Sequence, residues 1–230
     1  DLDVERKADD SPVTLADREI ERALRARIAE RHPEDGILGE EHGREGLDRE
    51  RVWVVDPIDG TKSFITGSPL FGTLVALTEA GRPTVGVIDV PVLGERLGGD
   101  GRTAALDGAP LRTRACTSLA DAVVCTAPPE AFPGRFAPAS AALDGAGALR
   151  RWGGDCYMYV QLALGCVDAV VEAILEPDDF AALVPVVQGA GGVMPDWSGA
   201  PLTISSAGDV AAAATPELHR QLLARLAGAG

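Results

Sequence analysis

The sequence predicts a mixed α/β chain built from two unlike halves. Residues 72–78 and 84–90 are apolar and β-rich on either side of Glu79-Ala80-Gly81-Arg82-Pro83, the pattern of a hairpin. From about Arg112 to Ser118 onward that pattern changes to strands alternating with helices. A length of 230 residues, 46% of them hydrophobic, suffices for a sizeable core. These observations divide the chain into halves 1–117 and 118–230, linked near 113–120.

Thr14-Leu15-Ala16-Asp17 is a capping-box pattern, and Ile20, Leu24 and Ile28 recur at helical spacing, predicting an amphipathic helix over 15–31 that ends at His32-Pro33. Ile37-Leu38-Gly39 precedes Glu40-Glu41, and a polar loop then leads to a strand at 52–55 and a Gly-Thr turn able to open a short helix. After the hairpin, the Gly-rich stretch 94–108 reads as further strand and turn. In the second half, 122–126 and 167–173 suit strands, and 155–164 suits a helix closed by Gly165. A helix over about 179–190 ends at Gly191-Gly192, and Thr215-Pro216 supplies the N-cap and first position of a last one. The Ala/Pro/Gly-rich segment 127–147 is expected to be a loop or a poorly ordered connection, and there are no internal repeats.

A formal charge of −14 argues against nucleic acid or an anionic membrane as partner, since both need a basic face. It also means that bound cations must invert the sign of any site that attracts a phosphate. Cys116, Cys125, Cys156 and Cys166 lack CxxC spacing and read as four buried, reduced thiols. The opening Asp1-Leu2-Asp3-Val4-Glu5-Arg6-Lys7 cannot serve as a secretory h-region, and no apolar run reaches the roughly 18 residues that span a bilayer. A soluble, cytoplasmic protein is expected, with some sequence preceding Asp1.

The chemistry concentrates in Asp56-Pro57-Ile58-Asp59-Gly60-Thr61, which runs directly out of Val52-Trp53-Val54-Val55. Two carboxylates three residues apart at a strand end supply hard oxygen ligands for Mg²⁺, and the Gly-Thr turn supplies N–H groups for a phosphate. Glu40 and Asp179 also stand at element ends, where a scaffold aims side chains into a shared cleft. Singly, each also reads as a local device: Glu40 in a solvated acidic turn, Asp59 as a turn former, Asp179 as an N-cap. Lys62 reads more readily as a surface charge than as a phosphate contact.

With Gly39-Glu40-Glu41, Trp53 through Thr61, and Asp179-Phe180-Ala181-Ala182 leading to Ala190-Gly191-Gly192, the chain resembles the inositol monophosphatase superfamily over nearly its whole length. The family's N-terminal helix has no counterpart here. The resemblance implies an αβαβα sandwich like that of inositol monophosphatase and fructose-1,6-bisphosphatase, a homodimer, and two or three Mg²⁺ ions per site. Glu40, Asp56 and the carbonyl of Ile58 would bind one ion, and Asp56, Asp59 and Asp179 a second. Metal-activated water would attack the phosphate directly, with no phosphoenzyme. Asp17, Glu40 and Thr61 would form the catalytic set, and Gly60 and Thr61 would give N–H groups to the phosphate. For Asp17, capping competes with catalysis.

Gly60 through Ile65, Pro91 through Arg96, Arg151 through Tyr157, and Leu183 through Val187 look most like the histidinol-phosphate phosphatase branch. That implies a small phosphorylated metabolite, L-histidinol phosphate of histidine biosynthesis, as substrate. Its ammonium and imidazole call for carboxylates, and Glu172 and Asp155 take that role in the resemblance. Asp178 stands where the family usually has an aromatic residue, and Ile174 and Glu176 where the branch has smaller or basic ones. Inositol 1-phosphate and 3'-phosphoadenosine 5'-phosphate are the alternative substrates, though no basic or aromatic adenosine pocket is evident. A haloacid-dehalogenase phosphatase is disfavoured, because its two carboxylates are two residues apart. A catalytically silent metal-binding subunit leaves the retention of Glu40, Asp56, Asp59, Thr61 and Asp179 unexplained.

Overall fold

The computed structural model describes residues 4–6 and 12–228; Lys7 and the rest of the opening segment lie outside that range, as do the last two residues. Strands β1 (Val4–Arg6) and β2 (Pro12–Thr14) pair antiparallel and lead into helix α1 (Leu15–Arg31), bounded as its capping box predicts. Its most buried side chains are not Ile20, Leu24 and Ile28, which are half-buried, but the carboxylates Asp17 and Glu21.

Eight strands form the first large sheet: β3 (Gly36–Gly39), β4 (Gly43–Glu45), β5 (Arg51–Asp59), β6 (Gly72–Glu79), β7 (Arg82–Val90), β8 (Glu95–Gly99), β9 (Ala104–Leu106) and β10 (Ala109–Pro110), in the order β10-β9-β8-β7-β6-β5-β3-β4. Helix α2 (Thr61–Thr66) follows β5. The alternation of buried and half-buried residues along β6 marks one face against the core. β5 extends past the expected 52–55 to Asp59, so the whole Asp56-Asp59 motif lies within strand.

The second sheet has the order β12-β11-β13-β14, from β11 (Val123–Thr126), β12 (Leu149–Trp152), β13 (Ala169–Glu172) and β14 (Val210–Ala213). Both neighbours of β11 run parallel to it, and β14 closes the far edge antiparallel. Helices α3 (Ala137–Ala142), α4 (Tyr157–Ala163), α5 (Pro177–Phe180), α6 (Leu183–Gly189) and α7 (Pro216–Ala227) complete the chain. Valines and leucines from β5–β8, α4, α6 and β13 form one continuous core across both sheets, giving a layered α/β arrangement.

Three expectations are corrected. Segment 127–147 carries two short 3₁₀ turns and α3, and buries Phe132, Phe136, Ala139 and Leu143 in a second core against Leu218 and Leu222. The helix expected over 179–190 is two helices, α5 and α6, interrupted at Ala181-Ala182. Pro185 accounts for the break, because its ring excludes the carbonyl four residues earlier, that of Ala181. The four cysteines are free, as expected, but only Cys125 and Cys156 are buried; Cys116 is half-buried and Cys166 exposed.

Candidate active site

In a regular strand, Asp56 and Asp59 would point to opposite faces, because side chains alternate with a period of two. β5 avoids this with a bulge: Asp56 pairs with Leu74 and Asp59 with Gly72, so three steps on β5 match two on β6. Pro57, which has no N–H to lose, sits inside the irregularity. The bulge turns the Ile58 N–H onto Oδ1 of Asp56 at 2.9 Å and leaves both carboxylates on one side. There they meet Asp179 of α5, and ligand oxygens from the three residues lie within 4.8 Å of one another.

Mutual repulsion and withdrawal from water disfavour the charged forms of these carboxyls. Burial, then Asp59 and Glu40, pushes the Asp56 carboxyl well above the usual carboxylate range. Burial and Asp155 push Asp59 up to about 7, and burial and Asp59 push Asp179 to about 7. Hydrogen bonds partly offset this: the Cys156 N–H donates to Oδ2 of Asp59 at 2.5 Å, and the Glu176 N–H to Oδ2 of Asp179 at 2.7 Å. Crowded carboxylates on fixed backbone, oriented by N–H donors and with no cationic side chain paired to Asp56, Asp59 or Asp179 among the described residues, are a donor set suited to a hard divalent cation.

Glu40 follows β3, aimed by a residue the sequence reading missed. Glu21, fully buried on α1, accepts the N–H groups of Glu41 at 2.6 Å and His42 at 3.2 Å and pairs with Arg25 at 2.7 Å. Arg25 in turn donates to the Gly43 carbonyl. Gly39 admits this anchor, since a Cβ there would lie 2.0 Å from Oε1 of Glu21. The only sequence signal was a glutamate one helical turn after Asp17, on the same face.

Asp17 is fully buried and splits its two oxygens. Oδ2 takes the Thr14 N–H at 2.8 Å and the Thr14 hydroxyl at 2.5 Å, whereas Oδ1 is buried without a partner. Capping therefore occupies one oxygen only. Gly60 stands at φ +83° before α2, a left-handed turn that favours glycine. The Thr61 hydroxyl donates to the Ile58 carbonyl at 3.2 Å, so that carbonyl, an expected metal ligand, already accepts one bond.

Glu172, at the end of β13, is buried, and burial pushes its carboxyl up to about 8 while the Tyr159 hydroxyl donates to Oε2 at 2.9 Å. Asp155 does not head α4, which starts at Tyr157; it sits at φ +46° and accepts the Ser63 hydroxyl at 2.8 Å. Asp178 is buried with its carboxyl raised to about 7, and Ile174 is exposed at φ +59°. Lys62 is exposed, as its surface reading implied. Tyr159, Ser63 and the Cys156 N–H carried no sequence signal, because each matters only through a contact distant along the chain.

Residues 1–229 match the profile of the inositol monophosphatase family. The chain belongs to the inositol monophosphatase family. It is 42% identical to a protein of Arabidopsis thaliana, the chloroplastic bifunctional phosphatase IMPL2, over 98% of this chain and 68% of that one. It is 38% identical to a histidinol-phosphatase of Chlorobaculum parvum, over 92% of this chain and 82% of that one. Among solved structures, an inositol monophosphatase from Zymomonas mobilis superposes with a TM-score of 0.89 at 43% identity, covering 99% of this chain and 88% of that one. This family member is a phosphatase, a phosphoric monoester hydrolase, and it resembles the histidinol-phosphatase branch. Enzymes of the family use divalent metals, which the acidic cluster suits. No helix among the described residues is long and apolar enough to cross a membrane.

Proposed function

We propose that this chain hydrolyses L-histidinol phosphate to L-histidinol and phosphate, using Mg²⁺, as a homodimer in the cytoplasm. The observation that carries the substrate choice is Glu172, a buried carboxylate held by Tyr159 beside a site already rich in negative charge. A second acidic group at that position has a use if the leaving alcohol is cationic, and histidinol carries an ammonium and an imidazole. The similarity to histidinol-phosphatases supports the same reading.

Asp56, Asp59, Asp179, Glu40 and the Ile58 carbonyl would hold the metal. Bound there, a divalent ion polarises the phosphoryl group and lowers the pKa of water toward neutrality. The chain's own residues do the rest. Gly60 and Thr61 present N–H groups to the phosphate, and the missing Cβ at Gly60 lets the backbone come close. α2 lies beside β2, which leads into Asp17, so the Thr61 hydroxyl and the unpaired Oδ1 of Asp17 orient the attacking water and receive its proton. Glu172 and Asp155 bind the cationic end of the alcohol and fix the direction in which it leaves.

Inositol 1-phosphate is the second reading, favoured by the likeness to the Zymomonas mobilis structure. A comparison of kcat/KM for L-histidinol phosphate, inositol 1-phosphate and 3'-phosphoadenosine 5'-phosphate separates the two. Recognition of a buried-carboxylate partner gives roughly a 100-fold preference for histidinol phosphate; equal or reversed preference rejects the assignment.

A further inference from the structure

We propose that Ser63 and Asp155 form a positioning pair that ties the phosphate cradle and Asp59 to the second half of the chain. The two residues lie 92 positions apart, and the Ser63 hydroxyl donates to Oδ2 of Asp155 at 2.8 Å. The inference rests on the phosphatase reading of the site and adds to it residues that act through others.

The geometry is that of two interlocked left-handed turns, one from each half. Gly153, Gly154 and Asp155 have φ of +75°, +127° and +46° in succession, and the last carries a Cβ in a region that side chains disfavour. Such a conformation persists where its surroundings over-determine it. What holds it here is contact on two sides: the Asp155 carboxylate takes the Ser63 hydroxyl, and the next residue, Cys156, gives its N–H to Oδ2 of Asp59 at 2.5 Å. Facing it, Gly60 turns at φ +83°, and a Cβ at that position would come 2.8 Å from Oδ2 of Asp155. Straightening the 153–155 turn would therefore withdraw a donor from Asp59 and the anchor from the first turn of α2 together. Oδ1 of Asp155 takes no part in the pair.

The pair thus serves any phosphomonoester, whereas a purely substrate-binding Asp155 serves only a cationic one. Ser63→Ala, Asp155→Gly and the double variant, each in the full chain, distinguish these roles. Ser63→Ala is the cleaner probe because it changes no charge, and glycine favours left-handed backbone, so Asp155→Gly removes the acceptor of the Ser63 hydroxyl without forcing the turn. The readouts are Mg²⁺ affinity by titration calorimetry, kcat and KM on p-nitrophenyl phosphate and on L-histidinol phosphate, and melting temperature.

Loss of a partner that orients a metal ligand costs roughly 10- to 100-fold, so Ser63→Ala weakens Mg²⁺ binding and lowers kcat on both substrates by at least about tenfold. The double variant is no worse than the worse single one, as for two members of one contact. Three results overturn the pair: Ser63→Ala within about twofold of wild type in Mg²⁺ affinity and kcat; losses that multiply in the double variant; or an Asp155→Gly effect confined to KM for histidinol phosphate. If wild type binds Mg²⁺ but hydrolyses no monoester, the phosphatase reading fails, and the calorimetric comparison still decides the pair.

Discussion

Asp56 and Asp59 face the same side of β5 because a bulge inserts one extra residue between them, opposite the two-step span from Leu74 to Gly72 on β6. That single irregularity converts a strand, whose odd-spaced side chains diverge, into a bidentate carboxylate platform for Asp179 to complete. The chemistry of the site follows from it.

Asp59→Asn keeps the volume and an acceptor for the Cys156 N–H but removes one charge from the cluster. Loss of a metal-binding carboxylate is expected to lower kcat by roughly 10³-fold, about 4 kcal/mol of transition-state stabilisation. The melting temperature of the EDTA-stripped protein is expected to hold or rise, since a repelling charge is gone. A variant with wild-type turnover would place the chemistry elsewhere.

Raised carboxylates make the metal-free protein pH-sensitive. Asp59 and Asp179 stand at about 7 and Glu172 at about 8, whereas unfolded carboxylates titrate near 4. Between those values the folded chain binds more protons than the unfolded one, so stability falls as pH rises. The contribution is complete below about pH 4 and is lost as pH passes through about 7 to 8. His219, whose pKa burial lowers, has the opposite sign but acts only below about pH 6.5. Melting curves in EDTA should therefore fall from pH 6.5 to 8.5, and Mg²⁺ should flatten that decline because it replaces the protons. Parallel pH profiles with and without Mg²⁺ would speak against a cation site in the cluster.

Thr14 and Asp17 can be separated by substitution. Thr14→Ala removes hydroxyl capping and is expected to cost about 1 kcal/mol of stability with kcat unchanged. Asp17→Asn disturbs both the cap and the unpaired Oδ1, so it should lower kcat as well as the melting temperature. If the two variants behave alike in kcat, Asp17 is a cap and nothing more.

Glu172→Gln removes the carboxyl that a cationic alcohol would hold ionised while keeping an acceptor for Tyr159. A charged hydrogen bond contributes about 1.5–3 kcal/mol, so kcat/KM for histidinol phosphate should fall roughly 10- to 100-fold, mostly through KM, with p-nitrophenyl phosphate little affected. Equal losses on both substrates would make Glu172 part of the common machinery.

Glu21→Ala leaves Arg25 without its carboxylate and frees the N–H groups of Glu41 and His42. Breaking a buried pair from one side costs about 3–5 kcal/mol, and the turn bearing Glu40 should loosen with it. A large drop in melting temperature together with weaker Mg²⁺ binding is expected; a drop without the binding defect would confine Glu21 to scaffolding.

How far the sequence could be read depends on whether a signal is local. The capping box marked the start of α1 and His32-Pro33 its end, and the DPIDGT run placed its own carboxylates, because each is set by neighbours in the chain. The bulge was not legible: it is a mismatch of register with β6, and only pairing reveals it. Segment 127–147 read as a loop because its Ala, Pro and Gly content outweighed a stripe that is present, with Phe132, Phe136, Ala139 and Leu143 buried at helical spacing. The short strands β12 and β14 gave too few residues for alternation to appear. Asp155 was expected to head a helix, but its left-handed backbone comes from contacts with Ser63 and Gly60 that no local pattern encodes.

The most direct test is phosphate release from L-histidinol phosphate as Mg²⁺ is titrated into the EDTA-stripped protein. A saturable rise from essentially no turnover, reversed by EDTA, is the expected result. Turnover that is as fast in EDTA, or that is absent at every Mg²⁺ concentration, would contradict the assignment of this site as a Mg²⁺-dependent histidinol phosphatase.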